Sequence, residues 1–234
     1  MNDFKSVIQK FLSEKNYVSP WISSSKQPDA LIARASTITT LKKESYLFWE
    51  GYENQNIYIV RDGRLRVFYT SLTGNERCLY IIERGGMIGE VSAFDNIVND
   101  VSAYAITDAT LYTIHIQDMH HLINHHPALS LSVIDSLSYK IRLLHSQVAY
   151  TNKSATTKLA AILLALCAQY GEEHDNKGIY VTNRFTHSDL SILLELNRVT
   201  VSKLLAEIQQ QGILSYSEGH LVIQKPELLM QYME

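Results

Sequence analysis

Arg198 and Lys203 stand five positions apart in Asn197-Arg198-Val199-Thr200-Val201-Ser202-Lys203-Leu204-Leu205, and no acidic residue lies between Glu195 and Glu207. A guanidinium, an ammonium and two hydroxyls on one helical surface suit phosphate oxygens and base edges. Helical spacing turns Val201, Leu204, Leu205 and Ile208 inward. Arg198, Val199, Ser202 and Lys203 then point outward near the helix N-terminus, where a recognition helix meets the major groove. Asn197 can cap this helix. Thr186 can cap a preceding one, with Asp189 in its first turn. After Gly212, the alternation Ile213-Leu214-Ser215-Tyr216, the turn Ser217-Glu218-Gly219-His220 and the run Leu221-Val222-Ile223 predict a hairpin. Two short helices and a hairpin make a winged helix-turn-helix; the bland alternative is a small helical domain with an incidental exposed Arg and Lys.

Other chemistry-bearing residues point to less. His121 and His125 form an i, i+4 pair within His120-His121-Leu122-Ile123-Asn124-His125-His126 that would share a helical face, with Asp118 a turn earlier as a third ligand. Asp118 serves equally well as a first-turn helix charge, so surface histidines are the better reading and no metal is expected. Cys78 and Cys167 are too far apart for a C-x-x-C site, which excludes zinc ribbons and thioredoxin-like redox motifs. A haem held in the strands of the roll would have only Cys78 and His115 as axial candidates, distant in sequence. A metal-dependent β-barrel enzyme needs clustered inward ligands, whereas Thr113-Ile114-His115-Ile116-Gln117 offers one histidine. The chain is therefore not expected to be an enzyme.

The elements that position these residues follow from texture. The 234 residues are 46% hydrophobic and 19% charged, ordinary for one or two globular domains. The N-terminal stretch carries helical spacing at Phe4, Ile8, Phe11 and Leu12 and a link at Ser23-Ser24-Ser25, a peripheral lead-in. The start Met1-Asn2-Asp3-Phe4-Lys5 lacks the apolar stretch of a signal peptide. Between about 37 and 116, short runs recur: Ile57-Tyr58-Ile59-Val60, Leu65 to Tyr69, Leu79 to Ile82 and Ala109 to Ile114. Asp62-Gly63, Thr73-Gly74-Asn75 and Gly85-Gly86 punctuate them, predicting an antiparallel roll. A brief helix is expected around Met119 to Asn124. After Pro127, Ile134, Leu137, Ile141, Leu144 and Val148 follow at steps of 3, 4, 3 and 4, a seam for dimerisation or for packing on the chain's own roll. Asn152 and Ser154 interrupt it as a hinge. Ser154 caps a helix through the apolar run Leu159 to Ala168, too short to cross a membrane. Gly171 ends that helix, a polar loop from Glu172 to Gly178 follows, and Ile179-Tyr180-Val181 starts a strand. The expected fold class is α+β: a β-roll over 1–126, a dimerisation helix and hinge over 127–152, and a winged helix-turn-helix over 153–234.

That order, with Phe48-x-Glu50-Gly51, Ile57-Tyr58-Ile59-Val60-x-x-Gly63, Gly74, the loop Gly85-Gly86-Met87-Ile88-Gly89-Glu90-Val91-Ser92-Ala93-Phe94, and Arg198-x-Thr200-Val201-Ser202-Lys203, resembles the Crp/Fnr superfamily of bacterial transcription regulators over nearly the whole chain. The resemblance implies a cyclic-nucleotide-binding-like jelly roll, a homodimer and double-stranded DNA as partner, with RNA polymerase as a further one. Members that bind cyclic AMP grip its phosphate with an Arg-Ser pair where this chain has Asp100 and Val101, and a carboxylate there repels phosphate. Oxygen-sensing members carry an N-terminal cysteine cluster, and no cysteine precedes Cys78. No iron–sulfur cluster, cyclic AMP or other cofactor is expected. The pattern is similar to the halorespiration-type branch, which senses aromatic acids, and to the branch with virulence regulators, and the resemblance does not fix the effector. Candidates for a small organic effector's pocket are Tyr80, Arg84, Gly89, Glu90, Tyr104, Lys140, Arg142 and His145; sheet packing or a solvated helix face is the alternative for each.

On DNA, Arg198 is expected on a phosphate or guanine edge and Thr200 on phosphate, with Ser202 and Lys203 completing the contact. Val199 stands where many members have Glu. Its methyls suit the thymine methyl, so an A·T-rich half-site is expected. Lys203 replaces a common Arg and lacks its bidentate fork. Two recognition helices of a dimer imply a pseudo-palindrome with half-sites about 34 Å apart. Effector binding would shift the population between dimer arrangements about the Asn152–Ser154 hinge. The competing reading is a sensor or scaffold with a non-functional helix-turn-helix. Two isolated cysteines, no signal-peptide stretch and no membrane-length apolar run lead to the expectation of a cytoplasmic protein, and a net charge of -3, with 7 basic against 9 acidic residues in 152–234, predicts modest nonspecific DNA affinity.

Overall fold

The computed structural model describes residues 4–24, 30–72, 74, 76–174 and 178–234. Contacts divide the chain into two compact units, Pro20–Ile141 and Met1–Ser19 with Arg142–Glu234. In chain order the elements are α1 (Phe4–Glu14), β1 (Trp21–Ile22), α2 (Ala30–Ala35), β2 (Thr37–Leu41), β3 (Tyr46–Phe48), β4 (Asn56–Asp62) and β5 (Arg64–Thr70). Then come β6 (Glu76–Glu83), β7 (Met87–Ile88), α3 (Glu90–Asp95), β8 (Ser102–Ala105), β9 (Ala109–His115), α4 (Ile116–His125) and a 3-10 turn (Pro127–Leu129). The remainder is α5 (Ser130–Tyr150), α6 (Ala155–Tyr170), β10 (Gly171–His174), β11 (Gly178–Val181), α7 (His187–Leu194), α8 (Arg198–Gln210), β12 (Leu214–Ser217), β13 (His220–Ile223) and α9 (Pro226–Gln231).

The Pro20–Ile141 unit is a β-roll of two sheets, ordered β1-β6-β5-β8-β3 and β2-β9-β4-β7. The expected strands form β4, β5, β6 and β9. β4 lies between β9 and β7, and Ile57 to Val60 are buried without alternation because both faces are covered. Ile57, Ile59, Met87, Ile114, Met119, Leu129 and Val133 close the core, each side chain contributing about 1.5–3 kcal/mol on burial. Gly63 turns β4 into β5 at φ +86°, and a Cβ there would stand 2.3 Å from the Asp108 carbonyl oxygen. One pairing departs from the antiparallel expectation: β1 joins β6 in parallel, Trp21 opposite Ile81 and Ile22 opposite Ile82. Fully buried Trp21 anchors that strand, and two residues are too few to leave a period. Of the expected turns and links, Thr73, Asn75, Ser25, Asp175 to Lys177 and Met1 to Asp3 lie outside the described residues.

In the other unit α1 packs on α6 through buried Ile8 and Leu12, so the expected lead-in to the roll is part of the C-terminal unit. α6 is apolar on every side, and Leu159 to Cys167 are buried accordingly beneath α1, α7, α8 and α9. Ser154 caps it by accepting from the Thr157 amide at 3.0 Å. The polar stretch after Gly171 differs from the expected loop. Gly171 to His174 pair antiparallel with β11 as the edge of the sheet β10-β11-β13-β12, where Glu172 and Glu173 are exposed. Cys167 is buried on α6 and its thiol is pushed up to about 12 by that burial; Cys78 is also buried. Neither thiol is expected to react with a thiol reagent in the native protein, and both should react once denaturant is added. Fast reaction without denaturant would contradict this burial.

The helix α5 carries two stripes. Ile134, Ile141, Leu144 and Val148 are exposed at 52%, 55%, 44% and 76%, whereas Leu137 of the expected seam is half-buried against the core of the roll, as the alternative reading had it. The second stripe is buried and partly polar: Val133, Lys140, Leu143, Ser146 and Tyr150. Ser146 accepts from the Val18 amide at 2.9 Å, and the Tyr150 hydroxyl donates to the Lys15 carbonyl at 3.1 Å. Among the described residues, no helix is long and apolar enough to cross a membrane.

Candidate functional site

The surface formed by α7 and α8 is built by caps. Thr186 caps α7, accepting from the Asp189 amide at 3.1 Å while the Asp189 carboxylate accepts from the Thr186 amide at 2.8 Å, a complete capping box. Glu195 takes a left-handed conformation at φ 55° and turns the chain toward α8. Asn197 caps α8, accepting from the Thr200 amide at 2.7 Å. Val201, Leu205 and Ile208 are buried, while Leu204 is half-buried rather than fully inward as expected. Arg198 and Lys203 are exposed, Val199 is 64% exposed, and Thr200 is half-buried. Neither Arg198 nor Lys203 forms an ion pair with another described side chain, so both charges are available to an anion. Ser202 is half-buried and engaged, its hydroxyl 2.8 Å from His187 Nδ1. β12 and β13 form the expected hairpin, with Ser217 opposite His220. Arg184 braces its turn, donating to His220 Nε2 at 3.2 Å and to the Glu218 carbonyl at 3.0 Å.

In the roll, four of the eight effector-pocket candidates, Tyr80, Gly89, Glu90 and Lys140, come together. Lys140 Nζ donates to the Glu90 carboxylate at 2.5 Å and to the Met87 carbonyl at 3.0 Å, and it lies 5.5 Å from the centre of the Tyr80 ring. Ser136 donates to the same Glu90 oxygen at 2.9 Å, while Glu90 Oε2 is buried with no hydrogen-bond partner. Burial raises the Tyr80 phenol, and Lys140 only partly offsets it. Burial alone would lower the Lys140 ammonium, but Tyr80 and Glu90 outweigh it, and the net shift is upward. Gly89 introduces Glu90 at φ +87°, where a Cβ would stand 2.6 Å from the Asn56 carbonyl oxygen.

The other candidates lie elsewhere. Tyr104 pairs with Arg66 on the sheet face opposite buried Ala103 and Ala105, and it stacks edge-on against Tyr46 at 5.1 Å. Alternation along a strand sets that side, and the sequence alone did not fix which tyrosines faced in. Arg84 is exposed; Arg142 and His145 are exposed and belong to the other unit. Asp100 is exposed and Val101 half-buried; the Asp100 charge is among the influences that raise Tyr80. Ser136 and Met87 were not expected at this site, because a serine and a backbone carbonyl leave no signal in a sequence. The His121 and His125 rings stand 4.2 Å apart, and a His125 ring nitrogen is hydrogen-bonded to the His121 carbonyl. Among the described residues no group of three metal-ligating side chains occurs.

Residues 38–126 match the cyclic nucleotide-binding domain family, and residues 157–232 match the Crp-like helix-turn-helix domain family. The chain is 27% identical over 184 residues to the cyclic AMP receptor protein of Thermus thermophilus, covering 78% of this chain and 82% of that protein. It is 24% identical over 225 residues to the anaerobic regulatory protein of Bacillus subtilis, covering 94% and 92%. Among solved structures, a CooA mutant from Carboxydothermus hydrogenoformans superposes with a TM-score of 0.79 at 19% identity, covering 91% of this chain and all of the other. OCPA-complexed CprK superposes with a TM-score of 0.74 at 15% identity, covering 90% and 98%. At these identities the structural likenesses establish the fold.

Proposed function

We propose that this chain, which belongs to the Crp/Fnr superfamily of transcription regulators, is a cytoplasmic, homodimeric, effector-responsive regulator that reads an A·T-rich pseudo-palindrome. The carrying observation is the N-terminal half of α8, where Arg198, Val199 and Lys203 stand exposed with no acid between Glu195 and Glu207. Val199 favours thymine methyls and cannot accept from cytosine. RNA polymerase is a natural further partner for such a regulator. The exposed stripe Ile134, Ile141, Leu144 and Val148 supports dimerisation, since an apolar seam of this spacing gains by meeting a copy of itself.

The effector site we assign to Tyr80, Gly89, Glu90 and Lys140, together with Ser136. Its occupant is a small organic molecule rather than a cyclic nucleotide. Asp100 and Val101 offer no cation to a phosphate, and the buried Glu90 already holds an internal ammonium. A ligand that competes for Lys140 or satisfies Glu90 Oε2 would bias the position of α5, and through it the population of DNA-competent dimers. No iron–sulfur cluster or other cofactor enters this account.

Selection from random duplexes tests it. The wild-type chain is expected to enrich a two-fold A·T-rich sequence, whereas Ile141→Asp with Leu144→Asp should sediment as a monomer and enrich none. A dimeric double variant, or a wild-type chain that enriches no symmetric site, would overturn this reading.

A further inference from the structure

His187 is the first residue of α7, and both of its ring nitrogens are engaged: Nδ1 lies 2.8 Å from the Ser202 hydroxyl on α8, and Nε2 lies 3.1 Å from the Tyr216 hydroxyl on β12. One imidazole thus joins the helix before the recognition helix, the recognition helix itself and the wing. Ser202 lies one turn beyond Arg198 and beside Lys203, on the surface assigned to base contact. A neutral imidazole has one donor and one acceptor, so the three groups form a directed chain. A phenol is a far stronger acid than a serine hydroxyl and is the better donor of the two. Burial raises the Tyr216 phenol further, so it keeps its proton at neutral pH. With Tyr216 donating to Nε2, the Nδ1 proton is given to Ser202 Oγ, and the serine's own proton remains free to point outward.

We propose that His187, held by Tyr216, is a positioning residue for base recognition: it presents the Ser202 hydroxyl to the DNA as a donor, selecting a base-edge acceptor such as a purine N7 or thymine O4. The inference rests on the DNA-binding reading above. Without the imidazole, Ser202 rotates freely and offers donor or acceptor alike. Discrimination at one base pair then falls while the rest of the site is read as before.

Two measurements test it on the full chain. In the free protein at alkaline pH, nitrogen-15 spectra of labelled histidine should find the His187 ring proton on Nδ1, and Tyr216→Phe should shift that signature. For DNA, the parent, H187A, S202A and the double variant are titrated with the selected palindrome and with single-base-pair substitutions in its half-sites. H187A and S202A should each lose about fivefold of discrimination at the same base pair, and the double variant no more than either. Additive losses, a uniform loss across all sequences, or a salt slope reduced by about one, the mark of a phosphate contact, would each overturn the proposal. So would a proton on Nε2. If the parent binds no duplex, the DNA-binding reading has failed and the proposal falls with it, an outcome distinct from loss in the variants alone.

Discussion

Arg198→Ala combined with Lys203→Ala is expected to lower affinity for the preferred palindrome by at least about a thousandfold, with no change in unfolding midpoint. Each arginine or lysine on a base edge is worth about 1–3 kcal/mol of discrimination, and a two-fold dimer loses every contact twice. Both side chains are exposed and form no ion pair with a described residue, so the fold loses nothing when they go. The effect is large because little else attracts the DNA: residues 152–234 carry 7 basic and 9 acidic side chains. A strongly basic domain would keep substantial nonspecific binding after such a change. Titration by fluorescence anisotropy at fixed salt checks the expectation. Unchanged affinity would favour a sensor or scaffold whose helix-turn-helix does not read DNA.

Lys140→Met is expected to destabilise the β-roll by about 3–5 kcal/mol, since it leaves the Glu90 carboxylate buried without its cation. The double variant Lys140→Met with Glu90→Leu should recover most of that loss, because an apolar pair of similar volume carries no desolvation cost. The sign of the pH dependence follows from the raised ammonium. A group whose folded pKa lies above its unfolded value stabilises fully below the latter, so the contribution is complete below about 10.5 and is lost as pH rises through the higher folded value. Wild-type stability should therefore fall more steeply than that of the double variant in strong alkali. Denaturant titrations of the three proteins at neutral and alkaline pH check both points. A single variant as stable as the wild type would remove the pair from the account of this site.

Much of the fold was legible in the sequence, and what was legible had a period or a cap. The runs in β4, β5, β6 and β9 are long enough to declare themselves, and Thr186, Asn197 and Ser154 sit where capping chemistry puts them. The seam on α5 was legible as a 3, 4, 3, 4 spacing. Its buried counterpart was not, because Ser136, Lys140 and Ser146 interrupt the apolar pattern with polar groups that are satisfied only by partners distant in sequence. Short strands such as β1, β3 and β8 hold too few residues for a period, and β10 is polar because it is an edge. The cluster of Tyr80, Glu90 and Lys140 was legible in composition but not in membership. Tyr80 and Tyr104 are alike in sequence, and strand register alone sends one inward and the other out. His187 carried no motif, and its partners on α8 and β12 lie 15 and 29 positions away.

One dimer is expected to place its two α8 helices in successive major grooves. Binding of the intact chain to the selected palindrome, compared with the same half-sites moved apart by about five base pairs, tests it most directly, since half a helical turn puts the second half-site on the opposite face of the duplex. Tight, salt-sensitive binding to the first duplex is expected, and only weak, sequence-independent binding to the second. Equal affinity for both would contradict it.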